Sequence, residues 1–150
     1  MRARLVILML AAGVIVGVEA CGAPKANAVK DLFAQFGWIV LGEPVEGEDI
    51  LPAEFKVCPG FPWRVYVDLS KDAGLDFSPL AGARVKTVRF RVEDSQGERL
   101  KEIREYLLWG VALLDQEGKV VGAWLTYTDK QGSFAPGIPG YSLQGKTLEE

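Results

Sequence analysis

The 150-residue chain contains no histidine and two cysteines, and its formal net charge at pH 7 is −3. The absence of histidine excludes every mechanism that needs an imidazole base or an imidazole metal ligand. Two cysteines are too few for a disulfide-dense fold, and 49% hydrophobic with 25% charged residues is the composition of a globular domain. Nucleic acid is normally bound by a basic surface, so this acidic chain is not expected to bind it.

Residues 1–21 have the anatomy of an export signal. Arg2 and Arg4 precede an uncharged run from Leu5 to Val18, and these fourteen residues are fewer than the roughly 20 that a membrane-spanning helix needs. The segment that ends in Cys21 is similar to a bacterial lipobox, in which the cysteine is lipidated and becomes the new N-terminus. We therefore expect a signal peptide or lipoprotein leader with Cys21 as the lipidation site.

Other fates of this leader remain open. Glu19 departs from the lipobox pattern, which prefers a small uncharged residue at that position. Cleavage after Ala20 without lipidation would leave Cys21 and Cys58 free to form a disulfide in an oxidising compartment. Cleavage after Ala28 would remove Cys21, and an uncleaved leader would itself anchor the chain. In each case we expect an extracytoplasmic protein, anchored in the cell membrane or, as the alternative, secreted.

The rest of the chain is predicted to form a tether over residues 22–27, a single domain over 28–134 and an irregular tail over 135–150. Apolar residues at helical spacing predict a helix from about 28 to 36. The short aromatic and β-branched segment 38–41 is expected to be an edge strand. No internal repeat and no second domain are indicated.

Further along, residues 42–62 carry several prolines and glycines and are expected to be irregular. Helix is favoured over strand for 63–73, and 100–107 is compatible with either. Alternating or β-branched residues predict three strands, one at 85–92 and two in a C-terminal hairpin at 109–114 and 119–128. The expected fold is therefore α+β, with N-terminal helices packed on a small antiparallel sheet of three to four strands.

A set of turn and core positions along the chain carries a family resemblance. These positions are Phe36, Gly37, Trp38, Glu43, Pro44, Leu51, Pro52, Glu54, Phe55, the run Gly74 to Ser78, Gly82, Val85 and the run Gly118 to Gly122. They resemble a domain-of-unknown-function family of exported proteins from Gram-positive, often spore-forming, bacteria, over about residues 30–134. The resemblance implies an envelope-associated, anchored α+β domain, and it implies neither an activity nor site residues.

Arg89 and Arg91 are the candidate binding residues. If Val88, Phe90 and Val92 face the core, the two arginines project together from the other side of the strand. Such a positive stripe suits an envelope protein or an anionic envelope component, such as a polymer or a lipid headgroup.

Three other patterns have simpler explanations. Gly140, Gly145 and Lys146 match the spacing of a phosphate-binding loop, but the strand before and the helix after that such a loop needs are not predicted. Cys58 has no histidine to activate it, and the acidic segment 46–49 lacks the alternation of a calcium loop. No catalytic residue, metal site or cofactor is therefore predicted.

The expected function is that of an exported, lipid-anchored, non-enzymatic binding module of the cell envelope. One alternative is a small hydrolase that uses two carboxylates, which would have a concave site with two close acids and at least one raised pKa. A passive anchored spacer is another alternative. An exposed sheet face with an apolar patch would favour the binding module.

Overall fold

The computed structural model describes residues 23–56, 62–133 and 140–147. Within these ranges the chain forms two α-helices, four strands and two short 3-10 turns. In chain order they are α1 (Ala23–Gln35), β1 (Trp38–Ile50), α2 (Trp63–Lys71), a turn at Ser78–Leu80, β2 (Arg84–Asp94), a turn at Lys101–Ile103, β3 (Leu107–Leu114) and β4 (Val120–Thr128). The strands form one antiparallel sheet in the order β1-β2-β3-β4, which confirms the α+β prediction with its antiparallel sheet.

α1 covers one face of the sheet, which we call the α1 face. Val29 and Phe33 are fully buried there with Phe90 of β2. Phe33 lies directly over Gly110, where a Cβ atom would be 2.6 Å from the ring, so this position requires glycine. The helix begins at Ala23 and therefore includes residues 23–27, for which the sequence predicted a tether, since a proline in a first turn does not interrupt a helix.

β1 is longer than predicted, because residues 42–50 continue the strand. The prediction that 42–62 is irregular is therefore wrong for its first part. The register shifts between Leu41 and Val45, and this bulge contains Pro44, whose missing N–H would otherwise break the ladder. The pairing with β2 resumes at Val45 and runs to Ile50, so hydrogen bonds to the neighbouring strand maintain a segment with little intrinsic strand preference.

α2 confirms the helix favoured for 63–73, and it covers part of the opposite face, which we call the α2 face. Its buried Val67 and Leu69 belong to a second apolar cluster with Phe77 and Trp124. Residues 100–107, compatible with helix or strand in the sequence, form the 3-10 turn at Lys101–Ile103 and then the first residue of β3.

The predicted C-terminal hairpin is present as β3 and β4, and the outer edge of β4 is covered. The Ser70 hydroxyl exchanges hydrogen bonds with the backbone of Ala123, at 3.1 and 3.2 Å. Two residues on, Leu125 and Tyr141 exchange backbone hydrogen bonds of 2.8 and 2.9 Å. Tyr141 and Leu143 are buried, so this part of the segment predicted as a tail belongs to the core, because its apolar side chains complete the α1 face.

Several predictions concern residues outside the described ranges. They include the leader over residues 1–21, its proposed lipidation at Cys21 and the possible disulfide to Cys58. No helix in the described part of the chain is long and apolar enough to cross a membrane.

Candidate functional site

β2 has two chemically different sides. Val88, Phe90 and Val92 point to the α1 face and are at most 3% exposed. On the α2 face, Val85 is buried, whereas Arg89 is exposed and Arg91 is half-buried. Side chains alternate along a strand, so the two arginines lie together on the face that the sequence predicted for them, and their role in binding stays a prediction.

The two arginines lie between apolar neighbours from both adjacent strands. Val45 and Leu41 of β1 are paired with Arg89 and Arg91, respectively, and on the other side Arg91 is paired with Trp109 of β3. Val45 is 45% exposed, and Ile39, two residues before Leu41 on the same face, is 49% exposed. We call this surface the arginine face: Ile39, Leu41, Val45, Arg89, Arg91 and Trp109.

The two arginines of this face are not paired with a described acidic side chain, although the exposed Glu93 follows on the same side of β2, opposite Ile39. Neither Arg89 nor Arg91 forms a salt bridge with any of them. The Nε atom of Arg91 is buried, and within the described ranges it has no hydrogen-bond acceptor. A buried donor without an acceptor costs roughly 1–3 kcal/mol, so folding alone does not favour an arginine at this position.

The other half of the α2 face is covered by α2 and by aromatic side chains. Trp124 lies beneath α2 and stacks on Tyr66, with ring centroids 4.5 Å apart and an interplanar angle of 10°. Burial raises the pKa of the Tyr66 hydroxyl. Phe77 lies so close to Gly122 that a Cβ atom there would be 2.4 Å from its ring. The arginine face therefore begins where the helix and these aromatic side chains end.

At the end of β2, Arg99 connects three segments of the chain. Its guanidinium donates to the Asp94 carboxylate at 2.6 and 2.9 Å and to the carbonyl oxygens of Phe36 and Gly37, both at 2.9 Å. It also stacks on Trp38, with its Cζ atom 3.8 Å from the ring centroid. The hydrogen bond from the Arg99 side chain holds the pKa of Asp94 well below its usual range, and backbone N–H donors add to this effect.

A pocket of about 370 Å³ lies beside this arrangement. It is bordered by the start of β1, the end of β2, the connection that follows β2 and the first residues of β3. Its lining includes Arg91 and Arg104, together with the half-buried Leu107 and Leu108. Arg91 therefore belongs both to the arginine face and to a concave site, whereas Arg89 does not line the pocket.

Two acidic residues of the segment 46–49, and Asp76 elsewhere in the chain, accept hydrogen bonds from neighbouring residues. Glu48 accepts a hydrogen bond from Arg84 at 3.1 Å, and Asp49 accepts one from Thr87 at 2.7 Å. Hydrogen bonds from Ser78 lower the pKa of Asp76. In the part of the chain that the structure describes, no three carboxylate or cysteine side chains are close enough to hold a metal ion.

The phosphate-loop spacing falls on a turn that packs on the sheet. Gly140 approaches the carbonyl oxygen of Leu125, where a Cβ atom would be 2.5 Å away. The Lys146 N–H donates to the Ser142 hydroxyl at 3.3 Å, and residues 144–147 are not helical. These backbone amides therefore close a tight turn and do not open a helix toward a ligand.

Sequence reasoning missed the pocket and the Arg99 arrangement. The turn after Asp94 is visible in the sequence, because its polar residues and Gly97 are typical of turns. Nothing in the sequence links Arg99 to the carbonyl groups at the end of α1, since that contact depends on how the sheet places β1 beside β2.

Comparison with known proteins identifies a family for this chain. The family model described as a domain of unknown function, DUF4830, matches residues 32–125. This confirms the domain-of-unknown-function part of the resemblance, while export and bacterial origin stay predictions. No curated protein and no solved structure matches the chain.

Proposed function

This chain belongs to the DUF4830 family of domains of unknown function, and we propose that it is a non-enzymatic binding module whose arginine face attaches to an anionic component of the cell envelope. The observation that carries this proposal is the pair Arg89 and Arg91, which lie on one face and form no salt bridge with the described residues. A partner with negative charge would supply the missing counter-ions.

The apolar neighbours of the two arginines indicate which kind of anionic partner fits this surface. Val45 and Ile39 expose nearly half of their surfaces on the same face. A surface that combines cations with exposed aliphatic side chains suits the boundary of a membrane rich in anionic lipids, where headgroup phosphates and acyl chains meet. Each arginine near such a surface contributes about 1 kcal/mol at physiological ionic strength. We therefore take an anionic lipid surface as the partner.

The predicted leader over residues 1–21 also supports a position at a membrane surface. A short apolar run after two arginines is typical of export, and lipidation of Cys21 would keep the domain close to a membrane. Tethering raises the local concentration of a weak binding site at its target, so two arginines are sufficient to orient a domain that is already anchored. In this proposal the protein is extracytoplasmic and membrane-anchored.

The carboxylate chemistry of a hydrolase has less support. A general acid needs a raised pKa so that it is protonated near neutral pH. The pKa values of Asp76 and Asp94 are shifted in the opposite direction, by hydrogen bonds to Ser78 and Arg99. Both groups are therefore held as carboxylates by contacts that also shape the fold.

Sedimentation with lipid vesicles tests the proposal. The chain is expected to bind vesicles that contain phosphatidylglycerol, to bind phosphatidylcholine vesicles much more weakly, and to lose binding as the salt concentration rises. The double variant R89Q/R91Q should lose most of this binding. A matched control is K86Q/K119Q, which also removes two positive charges from exposed positions but outside the arginine face. Equal loss in both variants would show that net charge alone is responsible, and the proposal would be wrong.

A further inference from the structure

The two edges of the sheet, β1 and β4, differ in how their backbones are paired. On β4, the side chain of Ser70 and the backbone of Tyr141 bond to Ala123 and Leu125, respectively. On β1, all residues from 45 to 50 are exposed, and β2 is the only described part of the chain that forms backbone hydrogen bonds with them. Alternate N–H and C=O groups of a strand point away from its neighbour, so the outer edge of 45–50 has free donors and acceptors within the described ranges.

Residues 45–50 lack the backbone features that prevent a further strand from pairing. Such features are a proline or a bulge, and both occur before this segment, because Pro44 lies in the register shift between Leu41 and Val45. From Val45 to Ile50 the pairing with β2 is continuous. An edge of this kind can take up an extended peptide as an additional strand, through main-chain hydrogen bonds.

A second copy of this chain does not fit the edge, because its acidic side chains would oppose one another. Residues directly opposite in an antiparallel pair interact, and like charges there are destabilising. Two copies of β1 related by a two-fold axis, with their sheets continuous, pair residues that share a face. Every register centred on a residue from 46 to 49 then places Glu46 on Glu46, Glu46 on Glu48, Glu48 on Glu48 or Asp49 on Asp49. The charge pattern therefore opposes self-pairing and favours a cationic strand.

The acidic side chains are the charges nearest to an added strand. Glu46 is paired with Val88 and lies on the α1 face. Asp49 is paired with Val85 and lies on the α2 face. Glu46 forms no salt bridge with a described residue, and Asp49 accepts a hydrogen bond from the uncharged hydroxyl of Thr87. Each side of the edge therefore has a carboxylate without a cationic partner among the described residues.

The positive charges of this region lie further from the edge. Arg84 forms a salt bridge with Glu48 at 3.1 Å. Lys86 and Arg89 belong to β2, which is one strand, about 4.8 Å, further from an added strand than β1 is. Both side chains are exposed, so water and salt screen their repulsion of a cationic peptide.

We infer that the outer edge of β1 at residues 45–50 binds an extended peptide segment of another protein, in which cationic side chains alternate with small or apolar ones. The main-chain hydrogen bonds hold the segment as a fifth strand, and the carboxylates of Glu46 and Asp49 select its charge. The inference goes beyond the proposed function, because this edge shares only Val45 with the arginine face and takes a partner of the opposite charge.

Fluorescence anisotropy of a labelled hexapeptide, Lys-Thr-Lys-Val-Lys-Thr, tests the inference on the full chain. This peptide should bind saturably, and the peptide with glutamate in place of each lysine should not bind. Two further peptides carry backbone N-methyl groups, on the lysines in the first and on the other three residues in the second. Only alternate N–H groups of an added strand point to β1, so one N-methylated peptide should lose binding and the other should keep it.

A charge reversal on the edge tests the selection of a cationic partner. Glu46→Lys should weaken binding of the hexapeptide about threefold to tenfold, because it places a like charge beside the added strand. Glu117→Lys is the matched control, since it makes the same change of charge at an exposed position in the turn between β3 and β4. Its affinity should equal that of the unmodified chain.

Several outcomes would overturn the inference. Absence of saturable binding by the cationic peptide would do so, and so would the same result for both N-methylated peptides, because strand pairing requires a difference between them. Equal weakening in the two charge reversals would show that net charge alone is responsible. A dimer of the unmodified chain in sedimentation velocity, dissociated by the peptide, would identify a second copy as the occupant. Failure of the proposed function is distinguishable, because it is measured by vesicle binding of R89Q/R91Q, a variant that should still bind the peptide.

Discussion

The two halves of the α2 face have opposite chemistry although they share the same strands. Under α2, Val111 and Leu113 are buried in one cluster with Phe77 and with Trp124 of the neighbouring strand. Beyond the helix, the same side of the sheet carries Arg89, an exposed position directly beside Val111. On this face the side chains therefore change from buried, at Val111, to exposed, at Arg89, within one cross-strand pair.

This difference separates the side chains that stabilise the fold from those that are exposed for binding. In the covered half, each apolar side chain removed from water stabilises the fold by roughly 1.5–3 kcal/mol. In the open half, Arg91 lacks an internal partner for its Nε atom and Val45 is 45% exposed, so both side chains contribute less to folding than those under α2. The residues on which the fold depends least are the ones that we assign to binding.

The largest expected effect comes from the covered half. Phe77→Ala should lower the free energy of unfolding by about 3–5 kcal/mol, because a fully buried ring is replaced by a cavity. Val45→Ala in the open half should cost less than about 0.5 kcal/mol. Urea unfolding followed by tryptophan fluorescence measures both values. Similar losses in the two variants would show that the two halves are equally important for stability.

The next comparison is between two arginines at the same end of the sheet. Arg99→Met should cost about 2–3 kcal/mol, since it leaves the Asp94 carboxylate, only 7% exposed, without its partner. Arg91→Met should not lower stability and should raise it by about 1–3 kcal/mol, because it removes a buried donor that has no acceptor among the described residues. Thermal unfolding of the two variants checks this order. A larger loss for Arg91→Met would contradict the assignment of Arg91 to ligand binding.

The pH dependence of stability sharpens the same contrast. The pKa of Asp94 is lower in the folded chain than in the unfolded chain, where it is about 3.9. Its contribution is therefore complete above the unfolded-state pKa and is lost as the pH falls toward the folded-state pKa. Unfolding curves between pH 6 and strongly acidic pH should show a smaller decline in Asp94→Asn than in the unmodified chain. Parallel declines would contradict this assignment.

A smaller effect is expected at the covered edge of β4. Ser70→Ala removes a buried hydroxyl that bonds to both the N–H and the carbonyl of Ala123, so it should cost about 1–2 kcal/mol. Ser78→Ala, at a half-buried position, should cost less than Ser70→Ala. The urea midpoints of the two variants measure this difference in stability. Equal midpoints would mean that Ser70 does not stabilise the edge of β4.

The sequence was informative where burial alone determines the pattern. The alternation of Val88, Phe90 and Val92 predicted both β2 and the side on which Arg89 and Arg91 lie, because a strand with one buried face repeats every two residues. The second half of β1 could not be predicted, since its acidic exposed residues carry no such pattern and its hydrogen bonds come from β2. The pocket depends on the packing of the connection after Asp94, which has no periodic signal.

Hydrogen–deuterium exchange on phosphatidylglycerol vesicles tests the central claim, that the open half of the α2 face is the binding surface. Peptides that cover residues 39–45 of β1 should exchange more slowly on the vesicles, while peptides from α2 keep the rate that they have in solution. The same vesicles should leave R89Q/R91Q unprotected at 39–45. Protection of α2 instead, or of 39–45 to the same extent in the double variant, would contradict the account.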